Sequence, residues 1–122
     1  MDKNNGFVVV TTNYVPMNRI TKVVGPVFGI IVRSRGLGGN IVAGLRGIIG
    51  GEINEYTKML TEAREHAIQR MIAEAEKSGA NAVVDMRFDS ADIGQVMTEV
   101  VAYGTGVVIE EDSAKAGAVS LR

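Results

Sequence analysis

The chain has 122 residues, with 13 basic and 14 acidic side chains, a net charge of −1 and no cysteine, and that length holds one domain. The charge balance supplies no field to draw in nucleic acid or an anionic membrane, so neither is expected as a partner. The lack of cysteine excludes disulfides, a thiolate nucleophile and any thiolate-held metal.

The first residues, Met1 to Gly6, show neither the basic flank nor the apolar run of a signal peptide. No stretch reaches the ~20 apolar residues that span a bilayer, and the expected location is the cytoplasm. Phe7 to Thr12 is a β-branched run that predicts a first strand. After a polar connection around Pro16, Ile20 to Arg33 predicts a second strand, bent at Gly25-Pro26 because proline cannot donate to a ladder. Ser34 to Gly51 interleaves glycine with isoleucine, valine and leucine. Its GLGGN run lacks the Gly-Lys-Ser/Thr ending of a phosphate-binding loop, so a mobile or subunit-covered connection is expected over an anion cradle.

Glu52 to Gly79 predicts one long amphipathic helix. Ile53, Tyr56, Leu60, Ala67, Met71 and Ala75 fall on one stripe, while Glu55, Lys58, Glu62, Glu65, His66 and Gln69 fall opposite. Lys77 suits the last turn, and Gly79 suits a left-handed terminating residue. Beyond it the period changes to two. Ala82 to Ser90 and Gln95 to Glu110 predict a pair of strands. In the first, Val84, Met86 and Phe88 should face the helix and Asp85, Arg87 and Asp89 should not. In the second, Val100, Ala102, Gly104 and Gly106 should lie under the helix. Direct pairing across the hairpin would bring Glu99 within reach of Arg87 or Asp85. Residues 1–112 are therefore expected to form a single α+β domain, a small antiparallel or mixed sheet with one helix on one face, and 113–122 a flexible tail. One helix leaves Val101, Tyr103, Val107 and Ile109 uncovered, which predicts a homo-oligomer.

Several runs together resemble the YbjQ family. They are Gly50-Gly51-Glu52, Tyr56-Thr57, Ala63-Arg64, Arg70-Met71, Gly79-Ala80-Asn81-Ala82-Val83, Arg87-Phe88-Asp89 and Glu99-Val100 to Ala102-Tyr103-Gly104-Thr105. The members are small bacterial and archaeal proteins of uncharacterised function, sometimes labelled heavy-metal-binding. The resemblance implies a dodecin-like subunit assembled into a ring, with five subunits the expected number. It supplies no catalytic mechanism.

The candidate metal ligands are Glu62 and His66, four apart on one helix face, and two ligands do not make a tight site. The same pair also reads as a solvated helix face. The candidate ligand-binding residues are Arg64, Asp85, Arg87, Asp89, Glu99 and Tyr103. The hairpin carboxylates could hold a hard cation where copies meet, or form an ionic network with Arg87. Arg64 falls inside the apolar stripe, where a guanidinium either snorkels to the edge of the helix or requires a partner; a pair with a carboxylate of the sheet, Asp85 or Asp89 first, or of another subunit is expected. No nucleophile with an activating base is evident, so no catalysis and no cofactor is expected. Three readings follow: a scaffold ring, a ring holding a small ligand or metal between subunits, and a cryptic enzyme.

Overall fold

The computed structural model describes residues 6–34, 54–94 and 96–112. Over these residues the elements are β1 (Val8–Val9), β2 (Asn18–Ser34), α1 (Asn54–Lys77), β3 (Ala82–Ile93) and β4 (Met97–Glu111). The strands form one mixed sheet in the order β1-β3-β4-β2, with β1 parallel to β3 and the other two ladders antiparallel. This is the expected α+β arrangement, a single described helix on one face of a small sheet. The expectations for the glycine-rich segment, for the first residues of the helix up to Ile53, and for 113–122 lie outside the described residues.

Helix α1 holds to the sheet through a ridge of small and flexible side chains. Ala63, Ala67, Met71 and Ala75 recur every fourth residue and are buried, with Ile72 beside them. Alanines at the contact let the helix backbone come close to β2. A Cβ at Gly29 would collide with the Ala67 carbonyl oxygen and the Met71 amide nitrogen, so only glycine fits there. The helix ends as its sequence indicates. Gly79 takes φ of 96°, the Ala80 amide donates to Ala75 O at 2.9 Å and the Gly79 amide to Glu76 O at 3.0 Å. Those two bonds satisfy carbonyls that the last turn leaves open.

Strand β2 lies at an edge of the sheet and pairs with β4 along its length. The bend expected at Gly25-Pro26 is a slip in register between Val23 and Gly25, and a second slip separates Ile20 from Lys22. Edge position is what makes Pro26 tolerable, since its missing N–H need face no partner strand. Val27 and Ile31 point into the core under the helix, while Phe28, Ile30 and Val32 are exposed on the other face.

Strand β3 departs from the simple alternation expected of it. Asp85 adopts a left-handed φ of 55°, and the register with β4 jumps between Val84 and Arg87. The extra residue flips the pleat, so Val83 faces the helix before the bulge, Met86 and Phe88 face it afterwards, and Val84 faces away. The amides freed at the bulge are taken up by the N-terminal segment: Asp85 N donates to Thr12 O at 2.8 Å and Met86 N to Val10 O at 3.0 Å. That segment then crosses the far face. Val15 packs with Ala82, Val84 and Val107 in a second small core, with Val8, Val10 and Ile109 against it. Val107 and Ile109, expected on the uncovered face, are therefore covered within the chain. No helix among the described residues is long and apolar enough to cross a membrane.

Candidate functional site

The residues four apart on α1 that end in nitrogen meet the end of β2. His66 and Arg70 stand one turn apart, and with Ile31, Val32 and Arg33 they line a cavity of about 220 Å3. Arg33 Nη2 lies 2.6 Å from His66 Nδ1. A guanidinium can only donate, so Nδ1 is the acceptor and Nε2 carries the ring proton of the neutral imidazole. Arg70 Nη1 donates to Ile30 O at 2.9 Å, fixing the guanidinium against the open edge of β2 and occupying one of that edge's carbonyls. Arg33 Nε is buried without a hydrogen-bond partner.

The other sequence-nominated residues divide between the two faces of the sheet. Arg87, Asp89, Glu99 and Tyr103 share the face away from the helix, but not in the pairing expected. Arg87 stands opposite Tyr103, Asp89 opposite Val101, and Glu99 opposite Ala91 and Val32, so Glu99 does not meet Arg87 or Asp85 in the ladder. The ladder from Arg87 to Ile93 runs without a slip, so Glu99, opposite Ala91, lies nearer the hairpin's end than Arg87 and Asp85 do. Arg87 Nη1 instead donates to the carbonyls of Thr11, at 3.0 Å, and Met86, at 2.9 Å, and so braces the crossing N-terminal segment. Asp85 is exposed in the bulge.

Arg64 also corrects the sequence reading. It is exposed at the rim of the helix, its guanidinium carbon 5.2 Å from the centroid of the Phe88 ring. Within the chain it faces an aromatic surface where a carboxylate was expected. A smaller cavity, about 190 Å3, lies beside it against Thr57, Leu60 and Thr61.

Arg33 and Arg70 were not among the nominated residues. The four-residue spacing of His66 and Arg70 was visible in the sequence. Arg33 was not, because its approach to His66 depends on how far the helix slides along β2, which Gly29 fixes.

The YbjQ_1 family model, described as "Putative heavy-metal-binding", matches residues 7–110. The chain belongs to the YbjQ family. It is 58% identical over 121 residues to a UPF0145 protein of Thermoplasma volcanium, covering 99% of both chains. It is 59% identical over 103 residues to one of Bradyrhizobium, covering 84% of this chain and 93% of the other. Those names state no reaction and no ligand. Among solved structures, a protein of unknown function of the DUF74 family from Pediococcus pentosaceus aligns with a TM-score of 0.57 at 13% identity, over 86% of this chain and 99% of that one. At that identity the likeness concerns the fold alone.

The family's heavy-metal description does not fit the donors of this YbjQ subunit. Soft and borderline metals take thiolate and imidazole ligands, several at once. This chain has no cysteine and one histidine, and the described residues contain no group of three or more His, Asp or Glu placed to hold an ion. At His66 a cation would displace the hydrogen bond from Arg33 and sit beside two guanidiniums. Glu62, the other half of the nominated pair, does not line that cavity.

Proposed function

We propose that this YbjQ-family protein is a cytoplasmic homo-oligomer, a dodecin-like ring of five subunits, that works as a binding or scaffold assembly and performs no catalysis. The observation that supports assembly is the sheet face opposite the helix. Phe28, Ile30 and Val32 on β2 are 51%, 46% and 49% exposed, and Tyr103 beside them is 38% exposed. The Phe28 and Tyr103 rings stack with centroids 6.4 Å apart, which makes the patch flat and continuous. A contiguous apolar surface of this kind, rimmed by Arg87, Asp89 and Glu99, is characteristic of an interface. A second copy of the chain is the occupant this reading assigns to it, since a symmetric assembly covers the same patch on every subunit.

Native mass spectrometry of the purified protein tests the reading. The expected result is a closed oligomer at micromolar concentration, with Phe28→Asp releasing subunits that keep the parent's far-ultraviolet circular dichroism. Because Phe28 is already exposed in the single subunit, the substitution leaves the core untouched. A parent protein that runs as a monomer at that concentration overturns the assembly. A dimer or hexamer keeps the interface and corrects the subunit number.

A further inference from the structure

We propose that the cavity between Arg33, His66 and Arg70 binds a small oxyanion of the phosphate or sulfate class. The inference does not depend on the assembly reading, because all three residues come from one subunit and lie on the helix side of the sheet. The first support is charge. Two guanidiniums and the neutral imidazole line the cavity, and among the described residues no carboxylate does. On the same face of the ladder the acid in line with Arg33 is Asp92, reached across Thr98, which stands opposite both Arg33 and Asp92 and has its hydroxyl 3.5 Å from Asp92 Oδ1, while Glu99, opposite Val32, belongs to the other face. With a net charge of −1 over the whole chain, attraction of an anion here is local and not the effect of a general field.

The second support is an unsatisfied donor. Buried polar groups are nearly always hydrogen-bonded, and an exception calls for a partner. Among the described residues Arg33 Nε is such an exception; it is closed to solvent, so an ion in the cavity that Arg33 lines reaches it only when the Arg33 side chain turns. The donors are also held in place before any ligand arrives. Arg33 is fixed by His66, and Arg70 by the Ile30 carbonyl, which leaves each guanidinium with further N–H groups and His66 with its Nε2–H. Such prior ordering reduces the conformational cost of binding. The third support is size. A cavity of about 220 Å3 is below the roughly 300–1,000 Å3 of sites for cofactors and drug-sized molecules and has room for a small ion or one phosphoryl group.

Isothermal titration of the intact protein with inorganic phosphate, sulfate and glycerol phosphate tests this, with sodium chloride at matched ionic strength as the reference. Saturable binding of one ion per subunit is expected, and preference for glycerol phosphate over the free ion would identify a phosphoryl group of a larger molecule as the natural ligand. Arg70→Gln and Arg33→Gln should each weaken binding ~10-fold or more, since each removes charge-assisted hydrogen bonds. Arg19→Gln, which removes an equal charge from an exposed pair with Glu110, should leave it unchanged. No saturable binding of any of the three ions, or equal weakening by Arg19→Gln, overturns the site. Arg70 is exposed, so its variant decides the matter should Arg33→Gln fold poorly. Native masses of the same samples keep the two readings apart, because anion binding with a monomeric mass removes only the assembly.

Discussion

Among the described residues Arg64 rests on Phe88 and not in an ion pair, and the difference changes what its removal should cost. A buried carboxylate left without its partner would lose several kcal/mol, whereas an exposed guanidinium over an aromatic ring contributes about 0.5–1 kcal/mol. Arg64→Ala is therefore expected to destabilise by about 0.5–1 kcal/mol in urea denaturation, with the m-value unchanged. A loss of about 3 kcal/mol or more would mean that a carboxylate, from this chain or another subunit, does meet Arg64. Asn81 is a residue of the opposite kind, modest in the sequence and busy in the structure. Its side chain accepts from Ile109 N at 2.7 Å and donates to Ile109 O at 3.0 Å, so it extends the β3–β4 ladder by one more rung just after the helix has ended.

At the scale of the element, the bulge at Asp85 governs which side of β3 is apolar. Its left-handed backbone suits aspartate, asparagine or glycine and opposes a β-branched side chain. Asp85→Val should cost about 1–2 kcal/mol and Asp85→Gly little, as measured by thermal unfolding of the two variants side by side. Equal stability of the two would show that the bulge is not held by that φ. The same element marks the limit of what the chain's pattern reveals. Helix α1 was legible because its stripe of apolar residues recurs at helical spacing, buried from Ala63 to Ala75, and ends at Lys77 and Gly79. The strands were legible as strands, from β-branched runs and the change of period. The bulge was not, since Val84-Asp85-Met86-Arg87-Phe88 alternates without interruption, and only the two amides captured by Thr12 and Val10 disclose the extra residue. The candidate site was half legible for a similar reason. His66 and Arg70 are neighbours by helical spacing, but Arg33 joins them only once a strand far away in the chain has been laid under the helix.

For the molecule as a whole, cohesion comes from two apolar cores, one on each face of the sheet, and from an interface where subunits are proposed to meet. Neither core contains a metal-ligand cluster among the described residues. The melting temperature should accordingly stay the same when the protein is treated with a strong chelator and dialysed, because a structural zinc ion contributes its binding free energy to folding and its removal is felt at once. A drop of many degrees, restored by zinc alone, would point to a site completed between subunits, with Glu62 and His66 the first residues to replace.

The pairing of β2 with β4 joins strands from opposite ends of the described chain, with Asn18 opposite Glu111 and Ser34 opposite Met97. That has a consequence in time. During synthesis β2 leaves the ribosome long before β4, and the helix that follows has no paired sheet to settle on, since β1 pairs with β3 and β2 with β4. The β3–β4 hairpin is local and can close quickly, but the ladder that completes the core must wait for a large loop to close, which places folding toward the slow end for a chain of this size. Through that wait β2 presents Phe28, Ile30 and Val32 on one face and Val27 and Ile31 on the other with no partner on either side. The stretch proposed to meet a neighbouring subunit is thus also the one most exposed to the wrong partner in the nascent chain.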